Sequence, residues 1–139
     1  MWPDSSHYLG QYINGVKAGR GILVFSDNSY YEGEFGQNEI NGYGVYKWPD
    51  GKMYEGQWSN NMMNGDGILK WSDLREYRGT FKDDKRHGLG TFVSKEGKTY
   101  RGHWFEGKQH GVGYYKSSPG KQERMGQWDN GKRIKWLDE

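Results

Sequence analysis

The chain is 139 residues long, the size of one domain, with 17% aromatic but only 32% hydrophobic residues, a mean hydropathy of −1.15 and 23 glycines. With no cysteine there is no disulfide framework or thiolate chemistry, and no apolar run approaches the ~18 residues of a membrane span. Residues 1–69 carry 4 basic and 8 acidic side chains and residues 70–139 carry 16 and 10, so a net charge of only +2 conceals a molecule polar along its length.

Such polar bulk values lean toward disorder, which the aromatic content opposes. A period resolves the conflict. Residues 1–7 hold Trp2-Pro3-Asp4, which returns 46 residues later as Trp48-Pro49-Asp50. They read as a partial unit, expected of a chain cut from a longer array, with a half-repeat cap as the alternative. Tyr-x-Gly-x-aromatic then begins at Tyr8, Tyr31, Tyr54, Tyr77 and Tyr100, in steps of 23. The repeats are 8–30, 31–53, 54–76, 77–99 and 100–123, the last with one extra residue in Ser117-Ser118-Pro119-Gly120. A sixth copy, Arg124-Met125-Gly126-Gln127-Trp128, opens a degenerate cap over 124–139, where Lys132 and Lys135 would blunt an open sheet edge.

Counting each repeat from its Tyr, 22 of the 23 glycines fall at positions 3, 8, 12, 14 or 21. Alternation at the start of the repeat predicts a strand. Asn14-Gly15, Gln37-Asn38, Asn60-Asn61, Asp83-Asp84, Glu106-Gly107 and Asn130-Gly131 at positions 7 and 8 predict two-residue type I′ turns. A second strand follows, ending in a turn such as Pro49-Asp50-Gly51. Each repeat is thus one hairpin of an antiparallel meander. An odd period requires one parity break per repeat, assigned to a three-residue loop with a bulge at positions 19–21. Within a hairpin, strict alternation then pairs position 3 with 12, 1 with 14 and 5 with 10; between hairpins, 12 meets the next 5, 14 the next 3 and 16 the next 1. Gly65 is expected between Gly56 and Phe81, and Gly67 between Tyr54 and Gly79. Rings lie over the glycine backbone, and the pairs Tyr12/Lys17, Phe81/Arg86 and Trp128/Arg133 set a cation beside a ring.

These residues carry a resemblance. Tyr-x-Gly-x-aromatic followed by a Gly or Asn turn and Gly-x-Gly, five times in register, resembles the MORN (membrane occupation and recognition nexus) repeat. Asn38, Asn61, Asp84 and Leu74 stand where that pattern prefers glycine or an Asp-Gly turn. The resemblance implies an all-β fold: an elongated, single-layer, twisted antiparallel sheet of consecutive hairpins with a concave groove. It also implies a scaffold or adaptor in cilia, the cytoskeleton or membrane contacts, hence a cytoplasmic, cytoskeleton- or cilium-associated location. Such arrays also occur as accessory parts of larger enzymes, and phosphoinositide binding has been attributed to them.

Positions 1, 5, 16 and 18 share one face and hold most of the aromatics. A single sheet has nothing to cover them, which marks a binding face. The groove expected to dock a partner helix or extended peptide consists of Phe35, Tyr54, Trp58, Tyr77, Phe81, Tyr100 and Trp104. The opposite face, with Glu32, Glu34, Glu55, Arg78, Arg101 and His103, reads first as a solvated charged surface. The alternative is a membrane-peripheral role, with Arg78, Arg101, Lys132, Arg133 and Lys135 meeting anionic lipid or an acidic partner. His87 and His110 share position 11, but no second ligand type recurs with them, so no metal and no cofactor is expected. No positioned acid–base pair, phosphate loop or strongly basic balance marks an enzyme, a small-molecule substrate or a nucleic-acid partner.

Overall fold

The computed structural model describes residues 6–138. The partial-unit motif Trp2-Pro3-Asp4 lies outside the described residues. Twelve strands follow in chain order: β1 (His7–Ile13), β2 (Val16–Val24), β3 (Tyr30–Gly36), β4 (Glu39–Lys47), β5 (Met53–Ser59) and β6 (Met62–Lys70). β7 (Glu76–Lys82), β8 (Lys85–Val93), β9 (Thr99–Phe105), β10 (Lys108–Lys116), β11 (Arg124–Asp129) and β12 (Lys132–Trp136) complete them. They form one antiparallel sheet whose spatial order is the chain order. At 4.7–4.9 Å per step, it extends roughly 50 Å across the strands.

The turns are as the residues predict. Positions 7 and 8 both have positive φ, as at Asn60 (51°) and Asn61 (67°), the signature of a type I′ turn that matches strand twist. Between hairpins, the three-residue loop ends on a positive φ at Asn28, Gly51, Leu74 or Gly97, and the Trp48 N–H closes it on the Lys52 carbonyl at 2.9 Å. That loop restores parity, so every hairpin sends its rings to the same side. All three inter-hairpin pairings hold, with Gly65 opposite Phe81, Gly67 opposite Gly79 and Leu69 opposite Tyr77.

Within a hairpin, the register departs from strict alternation. Trp58 pairs with Met63 as expected, but Gly56 pairs with Gly67 and Tyr54 with Leu69. Position 3 therefore meets 14, not 12, and 1 meets 16, not 14. Two extra residues bulge out of the second strand beside the glycine at position 12. Gly19, Gly42, Gly65, Gly88 and Gly111 all have positive φ there, a conformation that a side chain opposes. An even insertion leaves the faces unchanged but slides the register by two.

The slide aligns two glycines per repeat into one row. Gly10, Gly21, Gly33, Gly44, Gly56 and Gly67 are successive cross-strand partners, and the row continues through Gly79, Gly90, Gly102 and Gly113 to Gly126. The position-1 tyrosines lie across this row. A Cβ on Gly67 would sit 2.2 Å from the Tyr54 hydroxyl, and one on Gly44 just 2.1 Å from that of Tyr31.

Candidate functional site

The aromatic face is built from the tyrosines upward. Tyr54 is completely buried and its hydroxyl donates to the Gln57 carbonyl at 2.9 Å; Tyr31, Tyr77 and Tyr100 repeat the bond to Glu34, Thr80 and His103. Each ring is gripped edge-to-face by the position-5 ring of its own repeat and of the next. For Tyr54 these are Trp58 and Phe81, both with centroids 5.1 Å away. For Tyr77 they are Phe81 and Trp104, at 5.1 and 5.3 Å. Edge-to-face packing sets the positive rim of one ring against the negative face of the next, worth ~0.5–1.5 kcal/mol per pair beyond burial. Desolvation raises the tyrosine pKa values: Tyr100 is pushed up to about 12, and Tyr31, Tyr54 and Tyr77 are raised further.

The seven residues expected to line a groove are thus brought together, as one continuous core only 0–6% exposed. They form the floor. Beyond the first hairpin, where Tyr12 is itself exposed, the accessible ring surface belongs to the next tier at positions 16 and 18, where Phe25, Tyr46, Trp48, Trp71, Phe92 and Tyr115 are half-buried against that floor. Cations cover parts of both tiers: Lys52 lies over Trp48 at 4.5 Å and Arg75 over Trp71 at 4.9 Å, and Arg86 lies over the floor ring Trp104 at 4.7 Å. Arg86 does pair across the hairpin with Phe81, but its guanidinium reaches the tryptophan of the following repeat. Burial pulls its pKa below the usual arginine range.

The five cations expected to meet lipid do not share one face. Arg133 belongs to the aromatic side, where it and Arg124 lie over Trp136 at 4.3 and 4.0 Å beside a cleft of about 290 Å³. Arg78 and Arg101 lie on the reverse side, ion-paired to Glu76 and Glu123 at 2.7 Å each. Lys132 and Lys135 pair across the sheet with Asp129 and Gln127, both also reverse-side residues. His87 and His110 stand around the Phe105 ring, at 5.4 and 5.9 Å.

Two features escaped the sequence reading. Position 4 belongs to the bulge as well as to a solvated face: the side chains of Gln11, Glu34 and Gln57 accept from the N–H of Arg20, Tyr43 and Asp66, at 2.6–2.9 Å. The recurrence of Gln or Glu eight residues before the bulge glycine was the available signal. The residues departing from glycine at position 8 are clasps. Asn38, Asn61 and Asp84 each accept from a backbone N–H of the preceding repeat at 2.8 Å and donate their own N–H to the same residue's carbonyl at 3.0 Å.

Compared with known families, the chain is matched five times by the model described as MORN repeat, over residues 8–30, 31–53, 54–73, 77–99 and 100–122. No curated protein matches it significantly.

Proposed function

Since the chain belongs to the MORN-repeat family, a class of non-catalytic modules that engage proteins or membrane lipids, we propose that it is a scaffold or adaptor. Its aromatic face docks a helix or extended segment of a partner protein in a ciliary or other cytoskeletal assembly of the cytoplasm. The observation supporting docking is the tier of half-buried rings, Phe25, Tyr46, Trp48 and Trp71, on the uncovered side of a single-layer sheet. Rings held half-exposed on a rigid floor offer large contact area at little entropic cost, which is what interface anchors require. The cellular setting rests on family analogy.

Recovery of partners from native extract, read by mass spectrometry, tests this. Trp48→Ala with Trp71→Ala, folded by circular dichroism, should lose the partner while wild type retains it. Equal recovery would falsify docking on this face. A second reading, membrane-surface binding through the basic end, is favoured by Arg124 and Arg133 flanking Trp136. An amphipathic ring beside two cations suits a headgroup layer. Vesicles with anionic lipid should then float the protein at low salt and release it at high salt. No flotation at low salt ends that reading.

A further inference from the structure

The reverse face of the sheet is not plain solvated surface. Side chains at position 2 alternate across the strands with those at position 15: Glu32 meets Val45, which meets Glu55, which meets Ile68. Arg78 and Arg101 continue the row. Exposed apolar groups stand among these charges, with Tyr43 at 49%, Leu89 at 61% and Val112 at 40%. Two clefts lie over the glycine row between them. One, about 410 Å³, is lined by Tyr43, Glu55, Asp66 and Arg78; the other, about 390 Å³, by Leu89, Arg101, His103 and Val112.

Charge on this face is divided at the middle of the sheet. Strands β3 to β6 present five carboxylates, including Glu32, Glu34 and Asp66, against two lysines. Strands β7 to β10 present six cations, including Lys82, Lys108 and Lys116, against one carboxylate of their own, Glu76, bonded to Arg78, and Glu123 from the loop after β10, bonded to Arg101. The acidic and basic fields are adjacent and equal in extent. A face of this pattern complements itself after a half-turn about an axis through its middle.

We propose that the reverse face is a homodimer interface, on which a second copy of this chain docks antiparallel about a two-fold axis between β6 and β7. The half-turn lays β3 over β10 and β6 over β7. Glu32 and Glu34 then oppose the strand carrying Lys108 and Lys116, and Asp66 opposes the strand carrying Arg78 and Lys82. It also carries β8, with Leu89, over β5 beside the first cleft, and β4, with Tyr43, over β9 beside the second. A parallel stack would set like charge on like, which selects against it. Each contact occurs twice, as an isologous interface requires. The apolar groups supply area while the charges select orientation.

Sedimentation velocity at low and high salt gives the first test: a dimer at low salt that weakens as salt screens the fields. Glu32→Lys with Glu55→Lys, and separately Arg78→Glu with Arg101→Glu, should each weaken the dimer at least about tenfold, leaving monomer at the concentrations where wild type pairs. Mixed in equal amounts, these two monomeric proteins should pair with one another. Native cysteine is absent, so Ile68→Cys, beside the axis, should self-crosslink with a bis-maleimide whose spacer bridges the ~10 Å between stacked sheets, while Val112→Cys, far from it, should not. Trp48→Ala with Trp71→Ala should leave the dimer intact, separating this face from the partner-docking one. A wild-type chain that stays monomeric at low salt overturns the proposal. So does a dimer that both charge-reversed variants retain.

Discussion

Gly67 and Tyr54 show what a single residue decides in this fold. A methyl on Gly67 would overlap the Tyr54 hydroxyl and ring, at 2.2–2.4 Å, and that ring is locked by its bond to Gln57 and by two neighbouring rings. Gly67→Ala should cost about 2–3 kcal/mol, as overpacking does in a core that cannot yield. Urea unfolding followed by tryptophan fluorescence measures it, and a near-neutral result would mean the ring is free to move. Leu74 presents the opposite case. It holds φ at 79° and its side chain is 79% exposed, so the strain of the left-handed region has no compensating contact. Leu74→Gly should stabilise the protein by about 1 kcal/mol, raising the urea midpoint. A lower midpoint would show that Leu74 makes a contact worth more than its strain.

At the scale of the hairpin, the bulge and the clasp determine how neighbours join. In the first three repeats the bulge frees an N–H at position 13 and the position-4 side chain of Gln11, Glu34 or Gln57 takes it, so the irregularity leaves no orphan donor there. The clasp joins consecutive hairpins: Asn61 accepts from Ile40 N–H at 2.8 Å and its own N–H donates to the Ile40 carbonyl at 3.0 Å. Asn61→Gly preserves the positive φ and removes only the side-chain bond, so it should cost about 1 kcal/mol in the same unfolding measurement. Gly107 and Gly131 keep the backbone half of this contact, to Arg86 and Gln109 at 2.8 Å, and the Arg86 guanidinium adds a bond of its own to the Gly107 carbonyl at 2.9 Å.

For the whole molecule, a core one ring thick and many repeats long makes stability a sum over neighbours. It also makes that sum depend on alkaline pH. Folded Tyr100 titrates at about 12 against an ordinary value of 10.0, and Tyr31, Tyr54 and Tyr77 lie further up. Between those values the unfolded chain has released protons that the folded one keeps. Stability is thus complete below pH 10 and falls as pH rises through the folded values. A spectrophotometric titration at 295 nm should show exposed tyrosines ionising first and the buried four only with unfolding. A single transition of all eleven near 10 would contradict the burial.

The 23-residue period with its turn residues was enough to determine one hairpin per repeat, which side carries the rings and how each hairpin meets the next, because turn chemistry and parity are local properties. The core rings Tyr54, Trp58 and Phe81 were legible for the same reason. Tertiary structure alone decided the rest. The bulge at Gly65 shifts pairing by two without changing faces, so no alternation pattern reveals it. That shift draws the glycines into one row, lets the tyrosines sink onto it, and buries the side chains that looked most available for binding. What remains on the surface, rings at positions 16 and 18 on one side and a charge-divided face on the other, depends on how far those tyrosines sink. Depth is a property of the packed sheet, and no single repeat contains it.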